Sequence, residues 1–162
     1  MKKLNYLIKS NANLKIIKSY LFYSLKSHFN KKKRKNFIKD YKKILNEKKI
    51  TYDYFSRNTF DWMETLKDHE NKEFNYLEIG SFEGNSSIFV LENFKNCHLT
   101  CVDSWQQLNL DENSKEGYEH LSILNCEKNF DDNLKNYSDR FKKEKILSDL
   151  FFEKNDKFFD VV

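Results

Sequence analysis

Apolar residues recur at three- and four-residue steps early in the chain, at Leu14, Ile17, Leu21 and Leu25, with Lys15, Lys18 and Lys26 beside them. That period predicts an amphipathic basic helix. From Thr51 to His69 the period is again helical: Phe55, Thr59, Trp62, Met63 and Leu66 share one face, while Asp53, Arg57, Asp61, Glu64 and Lys67 take others. Asn71 to Asn75 is a polar break, and beyond it the pattern changes. Phe74, Tyr76, Leu77 and Ile79 predict a short strand that runs into Gly80, Ser81, Phe82, Glu83, Gly84, Asn85, Ser86 and Ser87, then into Ile88, Phe89, Val90 and Leu91. The order is strand, glycine turn, helix. Cys97 to Asp103 alternates and ends in an acid, as a second parallel strand would. Gly117 to Tyr137, carrying Tyr118, Leu121, Leu124, Phe130 and Leu134, predicts further helix. Lys145, Ile146 and Leu147 predict a short third strand, and Phe158 to Val162 the start of a fourth. Strands separated by helices predict an α/β fold with a parallel sheet.

Charge divides the chain more sharply than hydropathy does. Residues 1–50 hold 16 Lys or Arg against two acids, Asp40 and Glu47, a net +14, whereas the remainder nets −10. The expected organisation is a basic helical arm, 1–50, ahead of an α/β body, 51–162. The arm, with its block Lys31, Lys32, Lys33, Arg34 and Lys35, suits a solvated helix docked on the body or contact with an anionic membrane surface. Nucleic acid is the less favoured partner. No apolar run approaches the ~18 residues of a spanning helix, and the N-terminal residues lack the pattern of a secretory signal. Three cysteines, Cys97, Cys101 and Cys126, have no framework spacing, which favours free thiols and a cytoplasmic location, with peripheral membrane contact through the arm. Cys97 and Cys101 share a strand face with His98 on the other, so no metal site is expected there.

The chemistry concentrates in the glycine turn. Without side chains at Gly80 and Gly84 the backbone can approach a ligand closely, and the following helix offers unpaired N–H groups. Glu78, Gly80 and Gly84 do not match the G-x-G-x-x-G of dinucleotide folds, because Phe82 stands at the second glycine's place. No Gly-Lys-Ser or Gly-Lys-Thr of a P-loop follows. Glu83 reads as a helix-start acid favoured by the macrodipole. The segment Tyr76 to Ser87, YLEIGSFEGNSS, resembles the first motif of class I S-adenosylmethionine-dependent methyltransferases: an acid, any residue, glycine, three residues, glycine. Val102 to Trp105, VDSW, is similar to the second-strand end of a branch that includes sugar and small-molecule O-methyltransferases. Asn129 to Leu134, NFDDNL, and the terminal FFDVV look like that branch too.

The resemblance implies a Rossmann-like doubly wound parallel sheet, of which this chain would be the N-terminal part, preceded by basic helices. It implies S-adenosylmethionine as cofactor and a sugar or small-molecule acceptor. Gly80 and Gly84 would pass beneath the cofactor, and Glu78 would hold its methionine end directly or through water. Asp103, 23 positions after Gly80, would accept from the ribose hydroxyls. Ser81 and Phe82 would line the turn, Ser104 and Trp105 would sit beside the ribose or adenine, and Ser148 or Asp149 would approach the adenine edge. A catalytic base or metal would lie after the fourth strand in the resembled fold, beyond Val162, so no catalytic residue is assigned. The chain is accordingly expected to be a fragment carrying the cofactor half. The competing expectation, from a different class, is an incomplete α/β binding module whose basic arm docks to a membrane or acidic partner.

Overall fold

The computed structural model describes residues 6, 9, 10, 12–106 and 125–162. In chain order its longer elements are α1 (Leu14–Phe29), α2 (Lys31–Leu45), α3 (Thr59–Leu66), β1 (Phe74–Ile79), α4 (Asn85–Asn93), β2 (Cys97–Asp103), α5 (Cys126–Leu134), β3 (Phe141–Lys145) and α6 (Ser148–Lys154). Residues Met1–Lys39 and Asp40–Val162 form two compact units.

In the first unit, Asn13 caps α1 by accepting from the Lys15 N–H at 2.9 Å. Residues from Tyr41 onward belong to the second unit and are tied into it. The Tyr41 hydroxyl is within hydrogen-bond distance of Asn85 O and Oδ1, at 2.5 and 2.8 Å. Lys49 N–H donates to Asn133 Oδ1 at 2.7 Å. Among the described residues no helix is long and apolar enough to cross a membrane.

The body is built on a three-stranded parallel sheet in the order β1-β2-β3, with Phe74 opposite Cys97 and Leu99 opposite Phe141. On the free edge of β1, Val161 makes a single parallel bridge to Tyr76, and the Leu77 N–H donates to Val161 O at 2.9 Å. The chain thus builds outward through β2 and β3, then returns to the opposite side of β1. Such a reversal opens a crevice at the carboxyl end of the strands. Helices cover both faces. On one, Phe94, just past α4, meets Phe74 edge-on and Phe130 of α5 meets Phe141. On the other, Phe151 of α6 packs with Leu77 and Val102, joined by Ile146 and Phe159. This is a mixed α/β, partial Rossmann-like arrangement. Phe89, Phe94 and Phe130 are fully buried, and each such side chain contributes roughly 1.5–3 kcal/mol.

Several expectations shift. The segment from Thr51 is not helical until a single 3-10 turn at Ser56–Asn58, because buried Glu83 draws both the Thr51 N–H and Oγ1 at 2.7 Å. β3 falls at Phe141–Lys145 rather than Lys145 to Leu147. Its sequence, FKKEK, is too charged to read as a strand. It forms because Lys143 donates to Glu127 and Asp131 of α5 at 2.9 and 2.7 Å, and Lys145 donates to Glu127 at 2.5 Å. Of the expected fourth strand the structure has only the Val161 bridge, and Phe158 is 96% exposed. In the expected Gly117 to Tyr137 helix, α5 occupies Cys126–Leu134, while Gly117, Tyr118, Leu121 and Leu124 lie outside the described residues.

Candidate functional site

The glycine turn leaves β1 at Gly80, whose N–H still donates to Val102 O at 2.8 Å, and enters α4 through Gly84, whose N–H donates to Ser81 O at 2.7 Å. Both glycines are left-handed, with φ of 80° and 81°. Their surroundings differ. A Cβ at Gly80 would meet nothing within 4 Å, whereas one at Gly84 would come within 2.4 Å of Leu134 Cδ1. Gly80 therefore faces an open cradle, and Gly84 is where the turn crosses tightly over α5.

Two bulky residues, Phe82 and Trp105, also take left-handed backbone, at φ 49° and 44°. Such conformations persist only where the surroundings hold them. Here Asp103 does: its Oδ2 accepts the Phe82 N–H and its Oδ1 accepts the Trp105 N–H, each at 2.9 Å. The Trp105 indole N–H closes the ring by donating to Phe82 O at 2.8 Å. The Trp105 ring lies against Phe130, centroids 4.8 Å apart, with the Lys143 ammonium 4.8 Å from its centroid. One carboxylate thus ties the glycine turn to the loop after β2. Each of its oxygens retains accepting capacity beyond the one N–H it already takes.

Beneath the turn, Glu78 is buried on the sheet face that meets α4. Its Oε2 accepts from the Ser87 hydroxyl, with Cys101 Sγ 3.9 Å away, while its Oε1 has no hydrogen-bond partner among the described residues. Ser81 Oγ is buried and likewise unpartnered. Burial pushes the Glu78 carboxyl above its ordinary 4.5. Because burial penalises the ionised form, this group's contribution to stability is fully present below 4.5 and is lost as pH rises through the raised folded value. Denaturant unfolding across a pH series will show stability falling through that window in the wild type and a flatter profile in Glu78→Gln. Equal slopes in the two proteins would refute the assignment.

Glu83 is not the exposed helix-start acid its position suggests. It is 1% exposed, and beyond Thr51 it accepts from Asn129 Nδ2 at 2.7 Å. Its carbonyl accepts from Asn133 Nδ2 at 2.9 Å. It is a strut joining the turn to α5 and to the chain ahead of α3. Sequence reasoning also missed the brace on the first turn of α4, in which Asn85 meets Tyr41 and donates to Asp53 at 3.1 Å. A usable signal was present for the strut: Asn129 and Asn133, four apart, put two amides on one side of α5.

Of the residues singled out in sequence, Glu78, Gly80, Ser81, Phe82 and Gly84 lie at the end of β1 and in the turn after it, and Asp103, Ser104 and Trp105 at the end of β2, the two groups joined through Phe82; of the eight, Glu78 and Gly80 line the cavity beside β1. Ser104 Oγ accepts from the Gln106 N–H at 3.4 Å. Ser148 opens α6 at the same carboxyl end of the sheet, where the Ile146 N–H donates to Asp103 O at 3.0 Å. An apolar cavity of about 440 Å³ adjoins Gly80 along β1, lined by Phe55, Trp62, Leu66, Tyr76 and Val161, with Thr65, Glu78 and Ser86 as polar members. Cys97 and Cys101 are buried free thiols on one face of β2; His98, on the other, lies 3.2 Å from Glu73.

Sheet, turn and crevice define a partial Rossmann-like α/β domain. No protein-family model matches the sequence, and no curated protein matches it. Among solved structures, 99% of the chain aligns with 52% of a coclaurine N-methyltransferase bound to N-methylheliamine and SAH, at 11% identity and a TM-score of 0.39. The chain spans about half the length of that structure.

Proposed function

We propose that the crevice binds S-adenosylmethionine and that the protein serves methyl transfer to an oxygen of a sugar or small metabolite. The observation that carries this reading is the joining of the open glycine turn to Asp103 at the end of β2. The donor set fits the cofactor. Asp103 keeps lone pairs for two ribose hydroxyls, Gly80 leaves room for close backbone approach, and Glu78 Oε1 and Ser81 Oγ are buried acceptors awaiting a partner at the methionine end. Under this reading Ser104 would lie beside the ribose and Ser148 near the adenine edge. Trp105, fixed to Phe82 and Phe130, supports the site by holding the turn against Asp103.

The cofactor would supply an activated methyl on a sulfonium. The chain's own work is to hold and orient it, which is the larger part of catalysis for so reactive a donor. A small acceptor would enter through the apolar cavity beside Gly80. The choice of oxygen, and of a sugar or small metabolite, rests on the similarity of VDSW and FFDVV to that methyltransferase branch.

Isothermal titration with S-adenosylmethionine and S-adenosylhomocysteine tests the reading. Binding in the micromolar range is expected. Gly80→Ala should remain folded, its strain costing about 1–2 kcal/mol, yet lose most affinity because the new methyl stands in the cradle. Absence of binding by a folded wild-type chain overturns the proposal.

A further inference from the structure

Leu14, Leu21, Phe22, Leu25 and Phe29 fall within a sector roughly 100° wide on α1 at helical spacing. All five are exposed, from 42% at Leu21 to 81% at Phe29. Lys18 lies within the sector, and Lys15 and Lys26 border it. Residues 1–39 contain twelve Lys or Arg and no Asp or Glu, and six of these cations fall in the nine residues 31–39. An apolar stripe among cations of one sign is costly to leave in water.

We propose that α1 lies in the interfacial plane of an anionic lipid bilayer, its Leu and Phe side chains among the acyl chains and the exposed Lys31, Lys32, Lys33 and Lys35 on the headgroups. An anionic lipid surface answers both features. A second copy of the chain would bring twelve like charges against twelve. A nucleic acid would match the charge but leave the stripe of Leu and Phe in water. Lys18, inside the stripe, extends its stem along the apolar surface and keeps its ammonium at the headgroups. Sixteen residues of helix are about 24 Å long, suited to lying on a membrane rather than crossing it. This inference is independent of the methyltransferase reading.

Co-sedimentation of the full chain with phosphatidylcholine vesicles, with and without phosphatidylglycerol, is the test. Binding should favour the anionic vesicles by about tenfold or more and weaken when salt is raised from about 0.1 to about 0.5 M. The Leu25→Glu/Phe29→Glu double variant should lose about tenfold or more of that binding while the body's thermal unfolding stays unchanged. Charge reversal at Lys31, Lys33 and Lys35 should do the same. No preference for anionic vesicles overturns the proposal. So does vesicle binding that survives the double variant and is displaced by a single-stranded oligonucleotide, which would assign the arm to nucleic acid. Concentration-dependent dimerisation abolished by the double variant, without vesicle binding, would overturn it in favour of a second copy.

Discussion

Gly84→Ala will destabilise the body severely. The added Cβ would stand 2.4 Å from Leu134 Cδ1 and 3.2 Å from Phe130 Cδ2, and neither ring nor methyl has room to yield, since both residues are fully buried. The backbone adds to the difficulty, because φ is 81° there. Left-handed strain of about 1–2 kcal/mol and overpacking of about 1–3 kcal/mol place the loss near 2–5 kcal/mol. For a body of this size that lowers Tm by roughly 10 °C or more. Gly80→Ala provides the internal comparison, since it carries the same backbone strain without the collision. Calorimetry should therefore rank Gly84→Ala well below Gly80→Ala; equal melting temperatures would mean that the turn does not cross α5 as described.

Asp103→Ala will abolish the site while sparing most of the fold. It removes the acceptor for the Phe82 and Trp105 N–H groups and, under the proposed function, for the ribose hydroxyls. Hydrogen bonds to a charged group are worth about 1.5–3 kcal/mol each, so affinity for S-adenosylhomocysteine should drop about 100-fold or more. Trp105 fluorescence should shift even without ligand, because the loop that positions the indole loses its anchor. Asp103→Asn, which retains one acceptor, should fall between. Titration returning an affinity within threefold of wild type for Asp103→Ala would remove Asp103 from the site.

How legible this architecture was in sequence depended on whether local pattern or tertiary context decided each element. β1 and β2 were legible because each is a short apolar run bounded by punctuation, with Glu78 and Asp103 following the alternation. The glycine turn was legible because three glycines in the whole chain make two at this spacing informative. β3 was not, since Lys143 and Lys145 are neutralised by Glu127 and Asp131 from another element, a pairing no local window contains. The role of Glu83 was hidden similarly. A carboxylate beside a helix start ordinarily faces water, and only the folded chain brings Thr51 and Asn129 to it from 32 and 46 positions away. The clasp among Asp103, Phe82 and Trp105 was not readable, because it depends on two left-handed residues that propensity disfavours.

The charged pairing that makes β3 a strand also sets its resilience. Four of its five residues are charged, and much of its attachment to α5 is ionic rather than apolar. Local opening selects segments with few buried apolar contacts, so β3 is expected to unzip more readily than β1 and β2. Since the Ile146 N–H bonds to Asp103 O, each opening would release the backbone on which Asp103 sits. Because ionic strength screens exposed pairs, the crevice would be looser on that side in high salt, while the glycine turn, buried against α5, would stay closed.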